Sequence, residues 1–161
     1  MKKSIIIEAR MNSTSLPGKH CYKVYNKYII EYLIIRLKKV KYANDIILAT
    51  TNTKVDDILF DISKKNKIKC FRGSEENVMQ RVLMAAEKNK TDIIVSITAD
   101  CPLIDPNIID QCILSFENND CEYLNNAFIP SYPGGMNCQV YFTKILKKSY
   151  KSTKSNLHRE H

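Results

Sequence analysis

An α/β three-layer sandwich built on a mainly parallel sheet is the fold this 161-residue sequence predicts. Three observations lead there. First, apolar, β-branched runs at residues 4–9, 45–50 and 92–98 are continuous instead of alternating with polar residues, the pattern of strands buried on both faces. Second, Ile29, Ile30, Leu33, Ile34 and Leu37, then Val55, Ile58, Leu59 and Ile62, then Val78, Val82, Leu83 and Ala86 recur at spacings of three or four, the stripe of a helix with one covered face. Third, the segments leaving three strands, 10–19, 50–53 and 98–105, are polar. In an open α/β sheet such loops gather beyond the strands' carboxyl ends, where ligands bind.

The remaining elements follow in chain order. Residues 68–71 form a further short strand, and Gly73-Ser74 ahead of Glu75-Glu76 predicts a helix start with a capping hydroxyl and an acidic first turn. Arg81 falls on the exposed face of that helix by its spacing. Asp105-Pro106 opens the next helix, with aspartate as cap and proline at the first helical position. Past Asn126 the pattern loosens through Pro130, Pro133, Gly134 and Gly135, then resumes as a strand at 138–143. No internal repeat or linker interrupts the chain, so one domain over 1–161 is expected. The last residues, 156–161, close no element, and the expectation is a chain shortened at its C-terminus.

Charge and cysteine usage narrow the partners. Twenty-five basic against 17 acidic residues give +8, a balance that favours an anionic partner. Yet Lys38, Lys39, Lys41, Lys64, Lys65, Lys67 and the lysines between 147 and 154 flank apolar helical stripes, without the interleaved aromatics of a nucleic-acid surface. They read as solvated helix faces, and no nucleic-acid partner is expected. The longest apolar-rich window, 28–40, is interrupted by Glu31 and Arg36 and is too short to span a bilayer. Six cysteines never pair as CxxC and no apolar leader precedes the first strand, which predicts a reduced, cytoplasmic setting without zinc or a catalytic thiol. His158 and His161, three apart near the chain end, read as solvent-exposed.

Two loops carry chemistry. In 10–19, only Gly18-Lys19 match the phosphate-binding GxxxxGK[ST] pattern; Ser13 stands where its first glycine belongs and His20 where its metal-binding hydroxyl belongs. What remains is Arg10 and Lys19 at the two ends of a loop with Asn12 and Ser13 between, either a triphosphate cradle or an ordinary basic loop. In 98–105, Asp100 arrives at the carboxyl end of a strand, either as a Mg²⁺ ligand or as a turn carboxylate bonding nearby amides. Asp105, ahead of Pro106, reads as a cap. Arg72-Gly73-Ser74 could present amides and a hydroxyl to a base or phosphate.

Four motifs in one order, Ile7-Glu-Ala-Arg-Met-Asn-Ser-Thr-Ser-Leu-Pro-Gly-Lys19, Ala49-Thr-Thr-Asn52, Phe71-Arg-Gly-Ser-Glu-Glu-Asn-Val78 and Thr98-Ala-Asp-Cys-Pro-Leu-Ile-Asp105, carry a resemblance. The chain resembles the cytidylyltransferase family of spore-coat polysaccharide synthesis proteins, related more distantly to CMP-sialic acid and CMP-ulosonate synthetases. The resemblance runs from the first strand to Arg159-Glu-His161. It implies a nucleotide-diphospho-sugar transferase, Rossmann-like fold. The reaction it implies is attack of a sugar hydroxyl, on an acidic or amino sugar, at the α-phosphate of CTP, releasing pyrophosphate for surface polysaccharide assembly. It further implies Mg²⁺ as cofactor and a homodimer. Carried to matching positions, it gives Arg10, Lys19 and Asp100 the catalytic roles, with Asp100 on the metal. Ala9, Met11, Asn12, Ser13, Thr50, Arg72 and Ser74 complete the nucleotide site.

One departure bears on the sugar. Where spore-coat relatives typically read Gly-Leu-Asp-Val-Glu-Val, this chain reads Gly135-Met-Asn-Cys-Gln-Val140, so two acids are amides. Asn137 and Gln139 can hydrogen-bond a sugar but cannot neutralise a metal or take a proton. Two rival readings therefore stand beside the transferase: a nucleotide-binding relative impaired in catalysis, and a glycosyltransferase using a ready-made nucleotide sugar. The latter would want Asp-x-Asp where this chain has Asp100-Cys-Pro.

Overall fold

The computed structural model describes residues 1–12, 16–129 and 131–155. Ser13, Pro130, His158 and Arg159-Glu-His161 lie outside the described residues. Strand β1 (Lys3–Glu8) leads through a one-turn 3-10 segment (Lys19–Cys21) to a small antiparallel hairpin, β2 (Lys23–Val24) and β3 (Lys27–Tyr28), and on to α1 (Ile29–Leu37). Then come β4 (Asp45–Thr51), a 3-10 turn (Lys54–Asp56), α2 (Asp57–Lys65), β5 (Lys69–Gly73), α3 (Val78–Lys88) and β6 (Ile93–Thr98). The chain continues through α4 (Pro106–Asn118), β7 (Tyr123–Asn125), β8 (Gln139–Phe142) and α5 (Thr143–Ser152).

Six strands form one sheet in the order β5-β4-β1-β6-β8-β7. The first four are parallel, as the continuous apolar runs predict, and β8 reverses direction against β6, with Ser96 opposite Gln139. β1 lies at the centre and is paired on both sides, so Ile5, Ile6 and Ile7 have no exposed surface. Side chains alternate between the faces. Ile5, Ile7, Leu48, Val95 and Ile97 meet Leu33 and Ile34 of α1, Leu59 of α2 and Ile113 of α4. Ile6, Ile47, Ala49 and Ile94 meet Val82, Ala85 and Ala86 of α3 and Leu146 of α5. Helices on both faces of a mainly parallel sheet make the three-layer sandwich. Among the described residues no helix is long and apolar enough to cross a membrane.

The structure corrects two local expectations. The helix anticipated at Ser74 begins four residues later at Val78, capped by Asn77, whose side chain accepts from the Gln80 amide at 2.8 Å. Ser74 instead accepts from the Asn77 amide at 3.0 Å and closes the turn before the cap. Glu75 and Glu76 therefore lie outside the helix. Arg81, expected on the exposed face, is 2 % exposed. That early turn covers it: its Nη1 donates to the carbonyls of Ser74, at 2.5 Å, and Glu75. Asp105 does cap α4, accepting from the Asn107 amide at 2.9 Å, with proline next. The β2–β3 hairpin, β7 and α5 go beyond the sequence reading.

Leu33, fully buried between α1 and the sheet, tests this layering. Leu33→Ala should cost about 2–5 kcal/mol, read as a lower melting temperature by calorimetry. A stability within error of the parent would contradict the packing.

Candidate functional site

The polar segments after β1 and β6 converge on a crevice at the sheet's carboxyl rim, on the face covered by α3 and α5. One chamber, of about 300 Å³, is lined by Ala9, Arg10, Lys19 and His20 from the first segment and Thr98, Ala99 and Asp100 from the other. A second chamber of about 520 Å³ adjoins it, with Asn137 and Gln139 near β8, Tyr123 of β7, and Ile145, Leu146 and Ser149 of α5. Glu8, Val78 and Thr98 line both.

Backbone constraints bring Arg10 and Lys19 to the same opening. The Gly18 amide donates to the Met11 carbonyl at 2.9 Å, pinching the loop shut, and Gly18 does so at φ +70°, a conformation that favours glycine. The Met11 amide donates at 2.8 Å to Asp56, in the turn before α2. The 3-10 turn at Lys19–Cys21 then directs Lys19 across the crevice, where its Nζ meets Asp100 Oδ2 at 2.8 Å. Opposite, Arg10 Nη1 reaches the Glu75 carbonyl at 3.3 Å, and Asn12 donates to the Glu75 carboxylate at 2.8 Å. The loop is thus tied to the segment after β6 at one end and to the turn before α3 at the other.

Not every predicted residue reaches the crevice. Arg10, Lys19, Asp100 and Ala9 share the first chamber, and Asn137 and Gln139 the second. Thr50 is fully buried, with its hydroxyl committed to Asp56 at 3.0 Å. Arg72 is held by the Thr51 and Thr53 carbonyls, at 2.8 Å each, and by Asp57 at 2.7 Å. Ser74 faces the turn that captures Arg81. Met11 and Asn12 serve as loop ties, and Ser13 lies outside the described residues.

Four residues gain a place that sequence reasoning missed or undervalued. Asp56 accepts from the Met11 amide, the Thr50 and Thr51 hydroxyls and the Thr51 amide. Among the described residues, His20 is buried with Nδ1 lacking a partner, and Arg81 is buried with Nε lacking one. Glu8 accepts from the Ser96 hydroxyl at 2.8 Å. Only Glu8 left a signal, a charge at the carboxyl end of an apolar run; the others depend on contacts that no spacing encodes.

Electrostatics differ sharply across the crevice. Burial raises the Glu8 carboxyl above the usual range, only partly offset by the Ser96 hydroxyl and the Arg81 charge. Burial also acts upward on Asp100, but Lys19 and the Thr98 hydroxyl outweigh it and keep the group below the usual range, an ionised carboxylate. Burial, reinforced by the Lys19 charge, lowers His20 and favours its neutral form. Among the described residues no three His, Cys, Asp or Glu side chains cluster as a metal cage. A half-exposed, ionised Asp100 suits Mg²⁺, which keeps waters and takes further ligands from phosphates.

Residues 4–157 match the sequence family described as cytidylyltransferase. The chain is 35 % identical over 156 residues to an uncharacterized protein of Methanocaldococcus jannaschii, covering 97 % of this chain and 63 % of that one. It is 33 % identical over 128 residues to the spore coat polysaccharide biosynthesis protein SpsF of Bacillus subtilis, covering 76 % and 53 %. It thus spans less than two thirds of the length of these two relatives. A solved cytidylyltransferase structure from Leptospira borgpetersenii superposes with a TM-score of 0.96 at 37 % identity, covering 100 % of this chain and 68 % of that one.

Two measurements test the site's construction. Asp56→Asn turns an amide donor toward groups that are themselves donors, and should cost about 2 kcal/mol, or about 6 °C in melting temperature for a chain this size. For His20, the folded value lies below the ordinary 6.5, so the unfolded chain takes the proton first as pH falls. Stability should decline below that pH, and His20→Gln should flatten the slope in a pH series of thermal melts.

Proposed function

The chain belongs to the cytidylyltransferase family, and on that premise we propose that it is a Mg²⁺-dependent nucleotidyltransferase moving CMP from CTP to a sugar hydroxyl. Pyrophosphate is the leaving group, and the acceptor is an acidic or amino sugar destined for surface polysaccharide or glycoconjugate. The observation that carries this reading is the convergence of Arg10, Lys19 and Asp100 on one chamber, beside a second where amides and hydroxyls stand among apolar side chains.

In this reading the triphosphate occupies the first chamber. Arg10 and Lys19 neutralise its charge and, being held by the pinched loop, meet the charge that develops on the departing pyrophosphate without rearranging first. Lys19 exchanges Asp100 for phosphate oxygens when nucleotide arrives, which frees the Asp100 carboxylate for Mg²⁺. Bound there, the metal would supply Lewis-acid polarisation of the phosphoryl oxygens. The ion pair suits such an exchange because both partners are partly solvated and their mutual stabilisation is small. Asn137 and Gln139 orient the sugar hydroxyls from the second chamber. A homodimer and a cytoplasmic location complete the proposal.

The amides at Asn137 and Gln139 favour a second reading, a relative that binds nucleotide without turning it over. Calorimetry with CTP alongside a pyrophosphate-release assay separates the two, since binding without release supports the second. Asp100→Ala should cut CTP turnover about a hundredfold or more and abolish its Mg²⁺ dependence, corresponding to several kcal/mol of barrier. Unchanged turnover would remove Asp100 from the mechanism. Thermal stabilisation by each of the four nucleoside triphosphates with Mg²⁺ checks the base, the largest shift being expected for CTP.

A further inference from the structure

If the second chamber receives the sugar, something there must accept the proton of the attacking hydroxyl, and the two amides cannot. We propose that Glu8 is that proton acceptor, a general base delivered by the central strand to the seam between the nucleotide and sugar chambers. The inference rests on the transfer reading and adds a catalytic residue to it.

Three observations carry it. Glu8 is the only acid or amine that lines both chambers among the described residues, so it sits where a phosphate in one and a hydroxyl in the other would meet. Its Oε1 is fixed by the Ser96 hydroxyl at 2.8 Å, and Oε2 takes no hydrogen bond among the described residues. The competing groups are otherwise placed. Asp100 is paired with Lys19 in the first chamber, and His20 lines that chamber alone with its Nδ1 enclosed. The Tyr141 phenol, pushed strongly upward by burial, holds its proton.

The groups facing Glu8 set its basicity. Arg81 comes from α3, the Tyr141 and Tyr123 rings from β8 and β7, and Arg10, Lys19 and Asp100 from the loops across the rim; the α5 side chains in the chamber are uncharged. Burial strengthens the base, while Arg81 and Ser96 keep the carboxylate form within reach. In the step itself, the hydroxyl gives its proton to Glu8 Oε2 as its oxygen bonds to the α-phosphorus. The bond from that phosphorus to the bridging oxygen breaks, and its electron pair leaves with pyrophosphate. Glu8 returns the proton to water once the product has gone.

The test uses the whole chain with CTP, Mg²⁺ and a panel of probes: 3-deoxy-manno-octulosonate, N-acetylneuraminate, an amino hexose and water as the simplest hydroxyl. Glu8→Gln keeps the shape and the Ser96 hydrogen bond; it should lower kcat about a hundredfold or more, leave CTP affinity unchanged and abolish the rise of kcat with pH on the acidic side. Ser96→Ala, which removes a donor to the charged form, should move that acidic limb to higher pH while activity persists above it. Undiminished kcat in Glu8→Gln overturns the proposal. Should that variant fail to fold by circular dichroism, an unmoved limb in Ser96→Ala does so instead. A parent chain that binds CTP yet releases no pyrophosphate with any probe overturns the base together with the transfer reading, whereas release that survives Glu8→Gln overturns the base alone.

Discussion

The Asp56 carboxylate is the constraint on which the Arg10–Lys19 end of the crevice depends. It is buried at the turn before α2, where an isolated charge would be costly. Four donors from two different segments surround it: the Met11 amide, the Thr50 hydroxyl, and the amide and hydroxyl of Thr51. Those bonds clamp the end of β4 to the loop after β1. With Met11 fixed and Gly18 folded back onto it, Arg10 and Lys19 emerge at one opening instead of diverging into solvent. A buried carboxylate thus does structural work that the crevice spends as positive charge. Its chemistry is that of a template, satisfied by donors and withheld from ligand.

The crevice itself is a study in opposite environments for like groups. Asp100 and Glu8 are both carboxyls at the carboxyl rim of adjacent strands. Asp100 keeps a lysine partner and solvent, and stays ionised; Glu8 keeps a hydroxyl and the Arg81 charge, yet burial raises it above the usual range. Asp100 is thus the carboxyl held ionised by a neighbouring cation, and Glu8 the one made more basic by burial. Arg81 lies beneath, spent on two carbonyls of the turn before α3, so that turn and the strand floor are electrically linked.

The parallel core was legible because burial on both faces writes itself into composition: Ile5, Ile6 and Ile7 in sequence admit few other readings. That Arg10, Lys19 and Asp100 share one opening was legible because the loops leaving parallel strands gather at the sheet's carboxyl rim. Asp56 was not, since its role comes from donors about 45 residues away in the chain and 5–6 residues away at once, a meeting that only the fold arranges. Arg81 misled because helical spacing describes the face of a helix but not the irregular turn lying over it. The helix boundary at Val78 slipped for a related reason: Ser74 and Asn77 both can cap, and the choice was settled by where the apolar stripe begins.

The reversal of β8 also decides from where the second chamber is furnished. Because that strand runs against β6, its first residue, Gln139, opens at the same rim where the parallel strands finish, two strands away from the one that leads into the loop bearing Arg10 and Lys19. The segment leading into β8 therefore supplies Asn137 and Gln139 to the second chamber without taking part in the pairing of β1 with β4 and β6. The two chambers are thereby furnished from separate places in the sheet, and a change beside Asn137 leaves the pairing of the central strands untouched.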